Sequence, residues 1–72
     1  MKTLGHVIKN ARETHGMTQE DFSEAIGVSR SSVGMYETGQ REPKLSTLKR
    51  ISKVLSIPLD TLVESVSPSE GR

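Results

Sequence analysis

The chain has 72 residues, with ten Lys or Arg against nine Asp or Glu and a formal net charge of +1. Only 32% of its residues are hydrophobic and 3% aromatic, so this length allows one small, mostly aliphatic core and disfavours most enzymes. The chain has no cysteine, which excludes a disulfide framework and thiolate metal sites. We find no signal peptide and no apolar stretch long enough to span a membrane. These features favour a single soluble, cytoplasmic domain.

Apolar residues at helical spacing predict the first two helices. The first helix is predicted over residues 3–15, with a buried stripe of Leu4, Val7, Ile8 and Ala11. Thr18 is a suitable N-cap for a second helix, whose expected buried residues are Phe22, Ala25 and Ile26. Gly16 and Gly27 follow these helices, where a left-handed residue commonly ends a helix.

The rest of the chain predicts three further helices and a tail. Ser29 is a suitable N-cap for a third helix at about 29–37. A polar loop containing Pro43 leads to a fourth helix with an apolar stripe of Leu45, Leu48, Ile51 and Leu55. Pro58 is suited to the start of a short fifth helix that places Leu59, Leu62 and Val63 on one face. We therefore expect one domain over residues 1–64 and a disordered tail over 65–72.

The most informative segment runs from Thr18 to Gly39 and contains two capped helices, each followed by glycine. Two short helices at a fixed angle can place the second in the DNA major groove while the first crosses the phosphates. Here the sequence resembles the lambda-repressor and Cro-like (XRE-type) helix-turn-helix family, most clearly over residues 17–29 and 36–39. The resemblance weakens outward over residues 4–63. It implies a compact, all-α, five-helix domain that binds operator DNA, usually as a symmetric dimer.

The third helix supplies the expected base-reading residues. At about 100° per residue, Val33 and Tyr36 point inward, while Ser31 and Met35 lie nearly opposite. Arg30 is long enough to contact a guanine edge through two hydrogen bonds. The predicted base-reading residues are Ser29, Arg30, Ser31 and Met35. Outside such a motif an exposed arginine is usually only solvated, and a helical methionine usually fills a core or a dimer interface.

Phosphate contacts are expected on both sides of the third helix. Gln19 opens the second helix, where its amide and the free backbone N–H groups can donate to a phosphate. The predicted phosphate-binding residues are Gln19, Thr38, Gln40, Arg41 and Lys44. A basic face on the fourth helix is typical of plain solvation and consists of Lys49, Arg50 and Lys53.

Four residues concern the scaffold around the third helix. Arg12 and Glu37 match family positions that form a partly buried ion pair, so the resemblance implies a structural role for both. Lys44 stands where a capping Ser is common before the fourth helix, and Ser56 replaces a common Gly after it. These two departures leave the ends of the fourth helix less clearly defined.

The sequence therefore predicts sequence-specific binding to duplex DNA and transcriptional regulation, as a repressor that occupies an operator. Because a monomer reads only half a site, we expect a homodimer on an inverted repeat. The interface candidates are Leu59, Leu62, Val63 and Val66. One alternative is a protein-interaction module, such as the antitoxin of a toxin–antitoxin pair, and another is a fragment of a larger regulator. The expected location is the cytoplasm, in association with the nucleoid, for a protein of bacterial or phage type.

Other chemistries lack candidate residues. His6 and His15 are nine positions apart with no cysteine and no ligand partner at helical spacing, so no metal site is expected. Nothing resembles a nucleophile elbow, an oxyanion hole or a glycine-rich phosphate loop. We expect no catalytic residue, no cofactor and no small-molecule ligand.

Overall fold

The computed structural model describes residues 3–65, which form five α-helices and, within that range, no strand. The helices are α1 (Leu4–Thr14), α2 (Gln19–Ile26), α3 (Arg30–Thr38), α4 (Leu45–Leu55) and α5 (Leu59–Ser65). The predicted all-α, five-helix fold is confirmed. Ser65 belongs to α5, whereas the remainder of the predicted tail, from Val66 onward, lies outside the described residues. None of the five helices is long and apolar enough to cross a membrane.

Local hydrogen bonds and one glycine set the start of α2 and the turn that joins α2 to α3. At the start of α2, Thr18 accepts a hydrogen bond from the Asp21 backbone N–H (3.0 Å), and Asp21 accepts one from the Thr18 N–H (3.1 Å). Ser29 caps α3 by accepting from the Ser32 N–H at 3.1 Å. Gly27 ends α2 in the left-handed region, at φ 74°. The sequence therefore encodes both ends of the turn through contacts of short range.

All five helices contribute to one apolar core. The buried hydrophobic residues are Leu4, Ile8, Phe22, Ile26, Val33, Tyr36, Leu48, Ile51, Leu55 and Leu62. The third helix packs against both α1 and α2, and α5 packs against α1 and α4. The core thus holds α3 from two sides and leaves its remaining face uncovered.

Two predicted core residues are wrong. Ala25 is exposed, and Ser23 is buried in its place, with its hydroxyl donating to the Glu20 carbonyl at 2.7 Å. Leu45 is 56% exposed, because it is the first residue of α4 and helical side chains lean toward the N-terminus, past the start of the helix. The neighbouring Thr47 is buried instead.

Gly5 allows α1 and α3 to approach each other closely. A Cβ atom on Gly5 would overlap the Glu37 carbonyl oxygen and would lie 2.8 Å from that of Tyr36. No other residue type fits there without moving one helix. Gly5 therefore sets how α3 sits on α1, a role that the sequence pattern did not predict.

Lys44 and Ser56, the two residues that depart from the family pattern, are the N-cap and the C-cap of α4. Lys44 is the N-cap residue, but its side chain makes no capping hydrogen bond. Ser56 ends α4 at φ 57° and is, among the described residues, the sole non-glycine with a positive φ. The last turn of α4 is therefore built from a residue that prefers other conformations.

Candidate nucleic-acid interface

The outer face of α3 carries most of the predicted base-reading side chains. Arg30 and Ser31 are exposed and Met35 is half-buried, while Val33 and Tyr36 on the opposite face are buried. This orientation agrees with the prediction from helical spacing. Gly34 lies between these residues, and a Cβ atom added there would have no neighbour within 4 Å. The outer face of α3 is therefore unobstructed at Gly34, and the long side chain of Arg30 supplies a positive charge near its start.

Ser29 is placed differently from the other predicted base-reading residues. Its hydroxyl accepts a hydrogen bond from the Ser32 N–H and donates to the Ser32 hydroxyl at 3.0 Å. The side chain thus uses both its donor and an acceptor position within the protein. Ser29 is therefore the cap of α3, and its base-reading role stays a prediction that depends on the one acceptor position left on its hydroxyl.

A buried ion pair connects α3 to α1. Arg12 Nε donates to Glu37 Oε2 at 2.6 Å, and Arg12 Nη2 donates to Glu37 Oε1 at 3.3 Å. Arg12 Nη1 also donates to the Met17 carbonyl oxygen at 2.6 Å, so the guanidinium reaches the loop before α2. The hydrogen bond to Glu37 raises the pKa of Arg12, which keeps the guanidinium charged. The ion pair that the resemblance implies is present.

Gln19 extends this network to the surface of α3. Its Nε2 donates to Glu37 Oε1 at 3.1 Å, and its Oε1 accepts from Arg30 Nη1 at 3.4 Å. One of the two Nε2–H donors of Gln19 is therefore used inside the protein, which leaves the other one and the backbone N–H groups at the start of α2 as donors for a phosphate. Arg30 keeps its other guanidinium donors at the surface.

The loop after α3 brings the other predicted phosphate-binding residues together. Thr38, Gln40, Arg41 and Lys44 are all exposed. The backbone N–H groups of Gln40 and Arg41 both donate to the Met35 carbonyl oxygen, at 2.9 and 3.3 Å, so the loop is attached to the end of α3. Its cations consequently lie beside α3.

Arg50 has a role other than the predicted solvation. Its Nη1 donates to the Ile26 carbonyl oxygen at 3.3 Å, at the C-terminus of α2. The same guanidinium lines a pocket of about 510 Å³ between α3 and α4. A cation close to the last carbonyl groups of a helix stabilises that end of the helix. The spacing of residues along α4 does not reveal this contact, because it joins α4 to α2.

Of the four predicted dimer-interface residues, the three that the structure describes lie in different environments. Leu62 has no exposed surface and packs into the core, so its prediction as an interface residue is wrong. Because α5 has only seven residues, a single buried side chain, that of Leu62, packs it against the core. Leu59 is half-buried, Val63 is 47% exposed, and Val66 lies outside the described residues.

The two histidines lie apart from any cluster of possible metal ligands in the part of the chain that the structure describes. Over residues 3–65 there is no group of three or more His, Cys, Asp or Glu side chains that is placed to hold a metal ion. His15 Nε2 lies instead 3.0 Å from the Leu55 carbonyl oxygen, at the end of α4.

Two short helices joined at a glycine turn, with one face of the second helix uncovered, define a helix-turn-helix domain. The chain belongs to the helix-turn-helix family, whose model matches residues 8–62. It is 33% identical over 61 residues to the SPbeta prophage-derived uncharacterized HTH-type transcriptional regulator YonR of Bacillus subtilis, covering 85% of this chain and 56% of YonR. It is 32% identical over 56 residues to the cryptic phage CTXphi transcriptional repressor RstR of Vibrio cholerae, covering 78% of this chain and 50% of RstR.

The fold is also found in a solved protein–DNA complex. PlcR of Bacillus thuringiensis, determined with the peptide PapR7 and DNA, matches this structure with a TM-score of 0.82 and 33% sequence identity. The match covers 97% of this chain and 25% of PlcR. The chain likewise spans only about half the length of the curated relatives it matches first.

Proposed function

We propose that this chain is a transcriptional regulator that binds duplex DNA sequence-specifically and reads the major groove with α3. The observation that carries the proposal is the orientation of this helix: Val33 and Tyr36 anchor it in the core, and Arg30 and Met35 lie away from the core. The buried Arg12–Glu37 pair fixes that orientation. Membership of the helix-turn-helix family and the similarity to PlcR, which was solved with DNA, support the same function.

Each exposed residue of α3 has a defined task in this proposal. Arg30 donates two hydrogen bonds to O6 and N7 of a guanine, and Met35 contacts a thymine methyl group. Ser31 bonds a base or a phosphate. The open surface at Gly34 lets the helix backbone approach the bases closely.

The phosphate contacts fix the position of α3 in the groove. Arg41 and Lys44 supply charge, the Gln40 amide supplies hydrogen-bond donors, and the start of α2 at Gln19 supplies N–H groups. The Thr38 hydroxyl donates to the Met35 carbonyl oxygen at 3.3 Å in the free protein and turns to donate to a phosphate in the complex. Such contacts carry no sequence information but hold the register of the domain on the duplex. They also make binding dependent on salt, because each neutralised phosphate releases a counterion.

Repression through operator occupancy is the regulatory mode that we propose, supported by the similarity to RstR, which is named a transcriptional repressor. A homodimer on an inverted repeat places two copies of α3 about 34 Å apart, one DNA turn. Val63 and Leu59 are the described residues available to its interface. The protein then acts in the cytoplasm, at the bacterial chromosome.

Selection of random duplex DNA by the purified chain, at low and at physiological salt, tests this function. We expect an inverted repeat to be enriched, with half-sites one helical turn apart, and to be lost or relaxed with Arg30→Ala. Lys53→Ala is the matched control, because it also removes a cation but lies on α4 away from the proposed contacts. If no sequence is enriched at either salt concentration, the proposal fails and a protein partner becomes the leading hypothesis.

A further inference from the structure

Methionine is the side chain of this protein that peroxides oxidise most readily, because the chain contains no cysteine. Oxidation converts the thioether into a sulfoxide and so changes a flexible, apolar side chain into a polar one. Of the three methionines, Met17 and Met35 lie among the described residues. The effect of oxidation on the domain therefore depends on what each of these two side chains contacts.

Met17 and Met35 are both half-buried, but they differ in their contact with the core. Met17 lies in the loop before α2 and packs against the apolar core. Met35 lies on α3, and within residues 3–65 it is not among the partly buried hydrophobic residues that pack against that core. Helical spacing places it on the side of α3 away from Val33. The fold therefore depends on the Met17 side chain but makes little use of the Met35 thioether.

Small residues surround Met35 on the outer face of α3. A helical side chain leans toward the N-terminus, over the residues three and four positions before it, and for Met35 these are Ser32 and Ser31. Gly34 leaves open space beside it, since an added Cβ atom would have no neighbour within 4 Å. None of these three residues has a side chain long enough to cover a thioether. A small oxidant can therefore reach the Met35 sulfur from solvent.

We propose that Met35 is an oxidation site at which hydrogen peroxide weakens DNA binding, an inference whose second half rests on the function proposed above. A lone pair of the Met35 sulfur attacks one peroxide oxygen, so that an S–O bond forms and the O–O bond breaks. The departing hydroxide takes the proton of the transferred oxygen and leaves as water. The sulfur is oxidised by two electrons and the peroxide is reduced by two. Methionine sulfoxide reductases reverse this oxidation, so the site can act as a switch.

Oxidation changes the contact that Met35 is proposed to make with DNA. The thioether is apolar and matches a thymine methyl group, whereas the sulfoxide oxygen is a hydrogen-bond acceptor. Placing α3 in the groove would bury that acceptor against the methyl group without a donor, at a cost that corresponds to about tenfold in affinity. The stability of the domain should stay unchanged, because the Met35 side chain does not pack against the core.

Peroxide treatment of the free chain, followed by tryptic mass spectrometry, tests the site itself. Trypsin cleaves after arginine, which places Met17 in the peptide 13–30 and Met35 in the peptide 31–41. We expect the peptide containing Met35 to gain one oxygen several times faster than the peptide containing Met17. The selected duplex should slow the oxidation of Met35 and leave that of Met17 unchanged, because DNA covers only the outer face of α3.

Affinity for the selected duplex, measured before and after peroxide treatment, tests the consequence. The oxidised chain should bind about tenfold more weakly at an unchanged melting temperature, and methionine sulfoxide reductases should restore the affinity. Met35→Leu keeps an apolar side chain of similar size that peroxide does not oxidise, so before and after treatment it should bind as the untreated wild type does. Met17→Leu is the matched control and should lose affinity on oxidation as the wild type does.

The possible results separate this inference from the function proposed above. A chain that selects DNA but is oxidised at Met17 as fast as at Met35, or that binds equally well when oxidised, refutes the inference alone. An equal loss of affinity in peroxide-treated Met35→Leu also refutes it, because another residue would then be the sensitive one. A chain that selects no DNA refutes the proposed function and with it the loss of binding, while the mass spectrum still decides whether Met35 is the oxidation site.

Discussion

Glu37→Gln tests whether the buried ion pair holds the reading helix in place. The substitution keeps the size of the side chain and removes the charge that faces Arg12. The two side chains are only 9% and 4% exposed, so the remaining buried guanidinium would keep only the distant, exposed carboxylate of Glu13, at 3.9 Å. Removing one partner of a buried pair typically costs about 3–5 kcal/mol. Because Gln keeps an acceptor and Arg12 keeps its bond to Met17, we expect a loss of about 2–3 kcal/mol.

Thermal unfolding followed by far-ultraviolet circular dichroism measures this loss. In a domain of this size 1 kcal/mol corresponds to about 4–8 °C, so a loss of about 2–3 kcal/mol should lower the melting temperature by about 8–24 °C. Glu13→Gln is the matched control, because Glu13 also faces Arg12, at 3.9 Å, but is 56% exposed in its side chain. An exposed pair of this kind contributes about 0–1 kcal/mol. Equal melting temperatures for the two variants would refute the structural role of the pair.

Further predictions concern backbone positions and can be checked by the same melting experiment. Gly5→Ala should destabilise the fold by about 1–3 kcal/mol or more, because its Cβ atom would overlap the Glu37 carbonyl oxygen. Gly34→Ala adds its Cβ to open space in a helix interior and should stabilise the fold by up to about 1 kcal/mol. Ser56→Gly should stabilise it by about 0.5–1 kcal/mol, because glycine adopts φ 57° without the penalty that serine carries. Loss of stability in Gly34→Ala would contradict the open space at that position, and unchanged stability in Gly5→Ala would contradict the steric overlap with Glu37. Loss of stability in Ser56→Gly would contradict the backbone strain at Ser56.

The elements that the sequence predicted well depend on short-range chemistry. Thr18 and Ser29 cap the helices expected of them, and Gly27 and Gly39 adopt the left-handed conformations that end α2 and α3. These features involve residues three or four positions apart, so spacing alone reveals them. The same holds for the inward and outward faces of α3, since this helix is only nine residues long.

The features that the sequence did not predict depend on contacts between distant segments. The need for glycine at position 5 arises from a carbonyl group in α3, and Arg50 reaches the end of α2 across the pocket. Helical spacing also locates the centre of a buried face only to within about one residue. This explains why Ser23 is buried where Ala25 was predicted to be.

Arg30 is proposed to donate two hydrogen bonds to O6 and N7 of a guanine. Substitution of 7-deazaguanine at each guanine of the selected site tests this contact most directly. This base lacks the N7 acceptor but still pairs with cytosine. We predict one guanine per half-site at which the substitution weakens wild-type binding by about tenfold, within the roughly 1–3 kcal/mol of a bidentate contact, and leaves Arg30→Ala unaffected. If no guanine shows this effect, or if both proteins lose affinity equally, Arg30 does not read that base and α3 is not positioned in the groove as described.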